Sequence, residues 1–179
     1  MGFYRISVRQ QPQYNFWDVC SSSFLYPSIV DTDVCIRMNE PHDIPDINAW
    51  GVSVQAAVTA IRNAGARSQL ILLPGNNWTS AETFVSNGSA DVLAKVTNPD
   101  GSVTNLIFDV HKYADSDNSG THAECTTNNI ANAFAPLAQW LRCNNRQAFN
   151  TETGGGNTQS CVQMICEQVK FQNQNSDGW

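Results

Sequence analysis

The sequence predicts an α/β domain built on a parallel sheet, from three observations. From about Val34 onward, short apolar runs alternate with helical patterns. Each run is strand-sized and stops at turn-forming or polar residues, and three of the four runs lead directly into side chains capable of acid–base chemistry. With 179 residues, 41 % of them hydrophobic, the chain has enough material for one domain with a core.

The elements follow in order. Val34-Cys35-Ile36 is the first strand and leads into Asn39-Glu40-Pro41. Asp46 is a candidate N-cap, after which Ile47, Trp50, Val54, Val58 and Ile61 fall at helical spacing until Gly65 ends the helix. A second strand, Leu70-Ile71-Leu72-Leu73, halts at Pro74-Gly75. A polar loop then leads to a shorter helical stretch at about 91–96, closed by Asn98-Pro99-Asp100-Gly101. The third strand covers 106–110. Beyond a long polar loop, Ile130, Phe134, Leu137 and Leu141 mark one face of a helix. Ala148-Phe149-Asn150-Thr151 forms a fourth strand ending at Glu152, and Val162, Ile165 and Val169 mark a last helix. Trp50 and Trp140 lie near the apolar faces of their helices and are assigned to the core. The region before residue 34, rich in Gln, Ser and aromatic side chains, has no sustained period; residues 1–37 stay unassigned and the domain is placed at 38–179.

Composition excludes several classes of partner. No run approaches the roughly 18 consecutive apolar residues of a membrane span, so no membrane partner is expected. Ten Lys and Arg against 16 Asp and Glu give a net charge of −6, with no basic cluster for a phosphate backbone, so no nucleic acid is expected either. The six cysteines (Cys20, Cys35, Cys125, Cys143, Cys161 and Cys166) lack metal-site spacing and suit disulfides. Together with two glycosylation sequons, Asn77-Trp78-Thr79 and Asn87-Gly88-Ser89, they point to a secreted, extracellular protein. Residues 1–20 do not read as a signal peptide, because Tyr4, Arg5, Arg9, Gln10 and Gln11 interrupt the apolar stretch.

In parallel β-α architectures, reactive groups collect at the C-terminal ends of strands. Glu40 follows the first strand, His111 and Tyr113 the third, and Glu152 the fourth. Two carboxylates sharing one mouth suit glycoside hydrolysis, in which an acid protonates the departing oxygen and a carboxylate meets the oxocarbenium-like centre. Asn39 and Thr151 are polar neighbours able to orient them.

Four stretches carry a family resemblance: Met38-Asn39-Glu40-Pro41-His42-Asp43, Ile107-Phe108-Asp109-Val110-His111-Lys112-Tyr113, residues 115–127 (DSDNSGTHAECTT), and Thr151-Glu152-Thr153-Gly154-Gly155-Gly156. From Met38 to about Ser176 the chain resembles fungal endoglucanases of glycoside hydrolase family 5. The resemblance implies part of a (β/α)8 barrel, about four β-α units corresponding to its fourth to seventh strands. It also implies a retaining endo-β-1,4-glucanase acting on cellulose or β-glucan without cofactor or metal.

By the same resemblance Glu40 is the acid/base and Glu152 the nucleophile. Asn39 contacts the sugar's 2-hydroxyl, Tyr113 steadies Glu152, and His111 contacts substrate or Glu40. Trp78 lines the cleft, Cys125 pairs with Cys161, and Cys166 takes a partner in a C-terminal part of the family fold. His122 is placed at the cleft edge and His42 as structural. A barrel typically takes about 250 residues, so the chain is expected to represent part of a longer catalytic domain. Its rival reading is an inactive remnant that binds glucan weakly, and a mannanase is the neighbouring enzyme class.

Two motifs are set aside. Residues 115–120 imitate the start of a calcium loop, but Thr126 stands where the closing Glu belongs. Gly154-Gly155-Gly156 lacks the Lys-Ser/Thr of a phosphate loop, and the family resemblance makes it the tight turn after the fourth strand.

Overall fold

A computed structural model of the chain describes residues 34–36 and 38–179. Most of the unassigned N-terminal segment, Cys20, and the side chain of Cys35 lie outside the described residues. Four strands, β1 (Val34–Ile36), β2 (Leu70–Pro74), β3 (Leu106–His111) and β4 (Ala148–Glu152), form one sheet in chain order, and every neighbouring pair is parallel. Parallel neighbours require crossovers. The helices α1 (Ile47–Asn63), α2 (Ser89–Leu93) and α3 (Ala135–Cys143) supply them, and α4 (Gln159–Gln174) follows β4. Among the described residues, β1 and β4 are the edge strands of this sheet.

The two central strands are buried on both faces, as parallel strands covered from both sides are, and apart from Asp109 and His111 of β3 their residues are apolar. Ile71, Leu72 and Leu73 are essentially sealed from solvent, as are Phe108 and Val110. Phe108 is the hub: its ring packs 5.3 Å from Phe84 and 6.0 Å from Trp140, and the Arg146 guanidinium lies 4.8 Å above it. Trp50 and Trp140 pack against this core from its margin, and the Trp50 indole donates to the Pro74 carbonyl at 2.9 Å.

Local chemistry sets the helix ends. Asp46 caps α1 by accepting from the Asn48 amide at 2.8 Å. At the other end Gly65 takes a left-handed φ of 101°, Ala66 N–H reaches the Ile61 carbonyl and Gly65 N–H the Arg62 carbonyl, which is a Schellman closure. α2 starts earlier than the apolar pattern predicts, because the Asn87 side chain accepts from the Ser89 amide at 2.9 Å and fixes the entry there. The expected helix over 130–141 opens with a π turn, Ile130–Phe134, closed by a bond from Phe134 N–H to the Asn129 carbonyl. Pro136 follows within the first turn of α3, where its missing N–H is tolerated.

The last helix forms where Val162, Ile165 and Val169 mark it, but its valines do not supply its buried side. Val162 and Val169 are 52 % and 54 % exposed, and the buried residues of α4 are Cys161 and Gln168. The rotation of α4 is set by specific attachments. Cys161 is disulfide-bonded to Cys125, and the Gln168 carboxamide oxygen accepts from the Thr153 hydroxyl at 3.1 Å.

Candidate active site

Because all four strands run the same way, β1, β3 and β4 deliver their following residues to one edge of the sheet. Glu40 arrives after β1, His111 closes β3 and Glu152 closes β4. One carboxylate oxygen from each Glu and a ring nitrogen of His111 lie within 4.8 Å of one another. His111 Nδ1 is 2.9 Å from Glu40 Oε1 and 3.6 Å from Glu152 Oε2, and the Tyr113 hydroxyl donates to Glu152 Oε2 at 3.1 Å. Both carboxylates are about a third exposed, at 31 % and 34 %, whereas the imidazole between them is buried.

Backbone geometry places these groups. The β3–β4 register shifts between Val110 and His111, which brings His111 opposite Glu152. Glu40 has a φ of 46°, a left-handed conformation that is unfavourable for Glu and doubly so before Pro41. Such strain costs about 1–3 kcal/mol and persists where surrounding contacts enforce it. Here those contacts include His111 on the side chain and the Trp78 N–H, which donates to the Pro41 carbonyl at 3.0 Å.

Asp109 is the residue that motif reading passed over. It is almost completely buried, its Oδ1 accepts from the Thr151 hydroxyl, and it stands 3.7 Å from His111 Nε2. That separation makes the contact an ion pair rather than a hydrogen bond. Burial works to lower the His111 pKa, but Asp109, Glu40 and Glu152 outweigh it and hold the imidazole above its ordinary value. Desolvation, reinforced by Glu152, pushes the Tyr113 phenol up to about 12, so it stays a donor.

With its folded pKa raised, His111 contributes stability that is fully present below its unfolded value, about 6.5, and is lost as pH rises through the folded one. Asp109→Asn is expected to lower the pH at which His111 deprotonates and to cost on the order of 3 kcal/mol in acid, where it removes one partner of a buried ion pair. The loss shrinks at alkaline pH. Imidazole proton shifts and urea unfolding against pH check both; a pH-independent loss would contradict the ion-pair assignment.

Around this centre the other expected residues are distributed unevenly. Trp78 is 48 % exposed and stacks on His42, with ring centroids 4.8 Å apart at 14°. The imidazole of His42, expected to be structural, therefore backs the aromatic of the candidate cleft. Asn39 is exposed after β1. His122 lies 3.2 Å from Asp115 and 3.3 Å from Asp117, on a loop whose Gly120 packs against the Tyr113 ring. Among the described residues these three are the second set whose donor atoms converge, but Asp115 already accepts from the Gly120 and His122 amides at 3.2 and 3.1 Å.

Cys125 and Cys161 form a disulfide, while Cys143 and Cys166 are free and exposed. None of Gly154, Gly155 and Gly156 has positive φ. Gly155 and Gly156 are required by close approach instead: a Cβ on Gly155 would meet Cys125 Sγ at 2.3 Å, and one on Gly156 the Ala123 carbonyl oxygen at 2.2 Å.

Residues 6–179 match the family model described as cellulase, glycosyl hydrolase family 5. The chain belongs to that family. The match begins upstream of Met38, where the resemblance in the sequence starts. Endoglucanase EG-II of Hypocrea jecorina is 71 % identical over 140 residues, covering 78 % of this chain and 33 % of that protein. The manganese dependent endoglucanase Eg5A of Phanerodontia chrysosporium is 54 % identical over 135 residues, covering 75 % and 34 %. The crystal structure of Cel5A (EG2) from Hypocrea jecorina superposes with a TM-score of 0.77 at 69 % identity, covering 79 % of this chain and 45 % of that one. XacCel5A in complex with cellopentaose gives 0.74 at 31 % identity, covering 85 % and 49 %. The chain thus spans about a third of the length of these curated relatives, and its four β-α units are part of a (β/α)8 barrel.

Proposed function

We propose that the chain is part of a secreted, retaining endo-β-1,4-glucanase that cuts internal bonds of cellulose or β-glucan. The observation that carries this reading is the approach of Glu40 and Glu152 to within 4.8 Å across the buried His111. Retaining glycosidases hold their two carboxyl groups about 5–5.5 Å apart, whereas inverting ones leave room for a water between them. Glu40 protonates the departing oxygen while Glu152 attacks the anomeric carbon, and Glu40 then deprotonates the water that releases the covalent glycosyl intermediate. The Tyr113 hydroxyl holds one lobe of Glu152 in place, and His111 restrains Glu40. Asn39 is assigned to the sugar's 2-hydroxyl, by family resemblance.

The substrate class and the stereochemistry are tested together. Carboxymethylcellulose should be hydrolysed in preference to mannan, and the first-formed reducing ends should be β-anomers by proton NMR. Preference for mannan, or initial α-anomers, would overturn the assignment.

The half-exposed ring of Trp78, backed by His42, offers a flat apolar face for a glucosyl unit. Trp78→Ala is expected to remove about 0.5–1.5 kcal/mol of binding. In steady-state kinetics this reads as a roughly two- to tenfold rise in KM with kcat little changed.

A further inference from the structure

The two glycosylation sequons, Asn77-Trp78-Thr79 and Asn87-Gly88-Ser89, meet at a single point. Asn77 Nδ2 donates to the Thr83 hydroxyl oxygen at 2.9 Å, and Asn87 Nδ2 reaches the same oxygen at 3.4 Å. The two carboxamides therefore sit side by side on the surface turn between β2 and α2, although ten positions apart in sequence. Two branched sugars cannot both leave from nitrogens that close to one acceptor without crowding each other.

The two amides are not equally spare. Asn87 Nδ2 also donates to the Asn76 carbonyl at 3.2 Å, so both of its hydrogens are used, and its Oδ1 holds the entry to α2 by accepting from the Ser89 amide at 2.9 Å. Replacing either hydrogen with a sugar breaks one of those bonds and loosens the entry to α2. Asn77 Nδ2 makes its one bond to Thr83, which leaves a hydrogen for substitution while that bond persists. Asn77 is left-handed at φ 58°, a conformation Asn tolerates.

The hydroxyl residue of each sequon is fully buried. Thr79 is closed in between the Gly75 amide, which donates to it, and the Asp109 carbonyl, which it donates to, and Ser89 accepts from the Asn76 amide. A transferase cannot read either sequon after folding. Modification must precede folding, and the fold then selects which glycan it accommodates.

We propose that the folded, secreted protein carries an N-linked glycan on Asn77 and none on Asn87. The reaction forms a bond from Asn77 Nδ2 to the anomeric carbon of a lipid-pyrophosphate-linked oligosaccharide. The C–O bond to the lipid pyrophosphate breaks, the pyrophosphate leaves with the bonding electrons, and Nδ2 gives up one proton. The proposal rests on passage through the secretory pathway, which forms part of the function proposed above. The test supplies a secretion leader, so its outcome does not depend on how the native protein is exported.

The full chain is secreted from a yeast host, the soluble folded fraction is treated with an amidase that releases N-glycans in heavy-oxygen water, and its peptides are mapped by mass spectrometry. Label at position 77 and an unmodified Asn87 are expected. Asn77→Gln should abolish glycosylation of the soluble fraction, and Asn87→Gln should leave it unchanged. A glycan on Asn87, with or without one on Asn77, overturns the proposal, as does a folded wild-type chain bearing no glycan. If Asn87→Gln fails to accumulate, the wild-type peptide map alone still decides.

Discussion

Glu152→Gln is expected to lower turnover of a soluble β-1,4-glucan on the order of 10⁴-fold or more, the scale on which removal of a covalent nucleophile acts. The amide is isosteric and keeps an acceptor oxygen for the Tyr113 hydroxyl, now 3.1 Å from Glu152 Oε2, so KM should change little. Glu40→Gln should behave differently. With an aryl cellobioside whose phenol leaves without protonation, the first displacement survives and the glycosyl-enzyme accumulates, because no base deprotonates water in the second step. Azide should then rescue Glu40→Ala and yield a β-glycosyl azide, a product only the acid/base position gives. Wild-type turnover no higher than that of Glu152→Gln would show instead that the chain is an inactive remnant, and glucan affinity would be what is left of its function.

Much of this was legible before any coordinates, and the reason is chemical. β2 announces itself as a continuous apolar run and β3 through Leu106–Phe108, because parallel strands bury both faces, and α1 because Asp46 and Gly65 bracket a 3.6-residue period. Glu40, His111 and Glu152 could be paired in advance because parallel topology sends strand ends to one side. Other features left no such signal. Asp109 reads as one more residue of an apolar strand, and only the register of β3 against β4 shows its carboxylate beside Thr151 and His111. The turn of α4 escaped periodicity because a disulfide and a single polar contact, rather than its valines, decide which side is buried. His42 became interpretable only once its ring was seen against Trp78, 36 positions away in the loop after β2.

Loss of the Cys125–Cys161 disulfide is expected to cost about 4 kcal/mol, the unfolded-chain entropy released by opening a loop with a sequence separation of 36. The damage should reach the candidate site by a specific route. Gly155, three residues beyond Glu152, lies against both sulfurs, with an added Cβ falling 2.3 Å from one and 2.6 Å from the other. Gly154 and Gly120 both face the ring of Tyr113, whose hydroxyl holds Glu152. Urea unfolding of Cys161→Ser should therefore show a lower midpoint, and kcat should fall more than KM rises, because Glu152, the proposed nucleophile, loses its restraint while the proposed glucan surface at Trp78 is untouched. Gly155→Ala supplies the control. Its methyl is severely destabilising beside the intact disulfide, and the penalty should shrink once the cross-link is opened and Cys125 Sγ, the nearer sulfur, is free to rotate away, so the two substitutions should be strongly non-additive. Strict additivity would separate the disulfide from the nucleophile loop and leave chain entropy as its whole contribution.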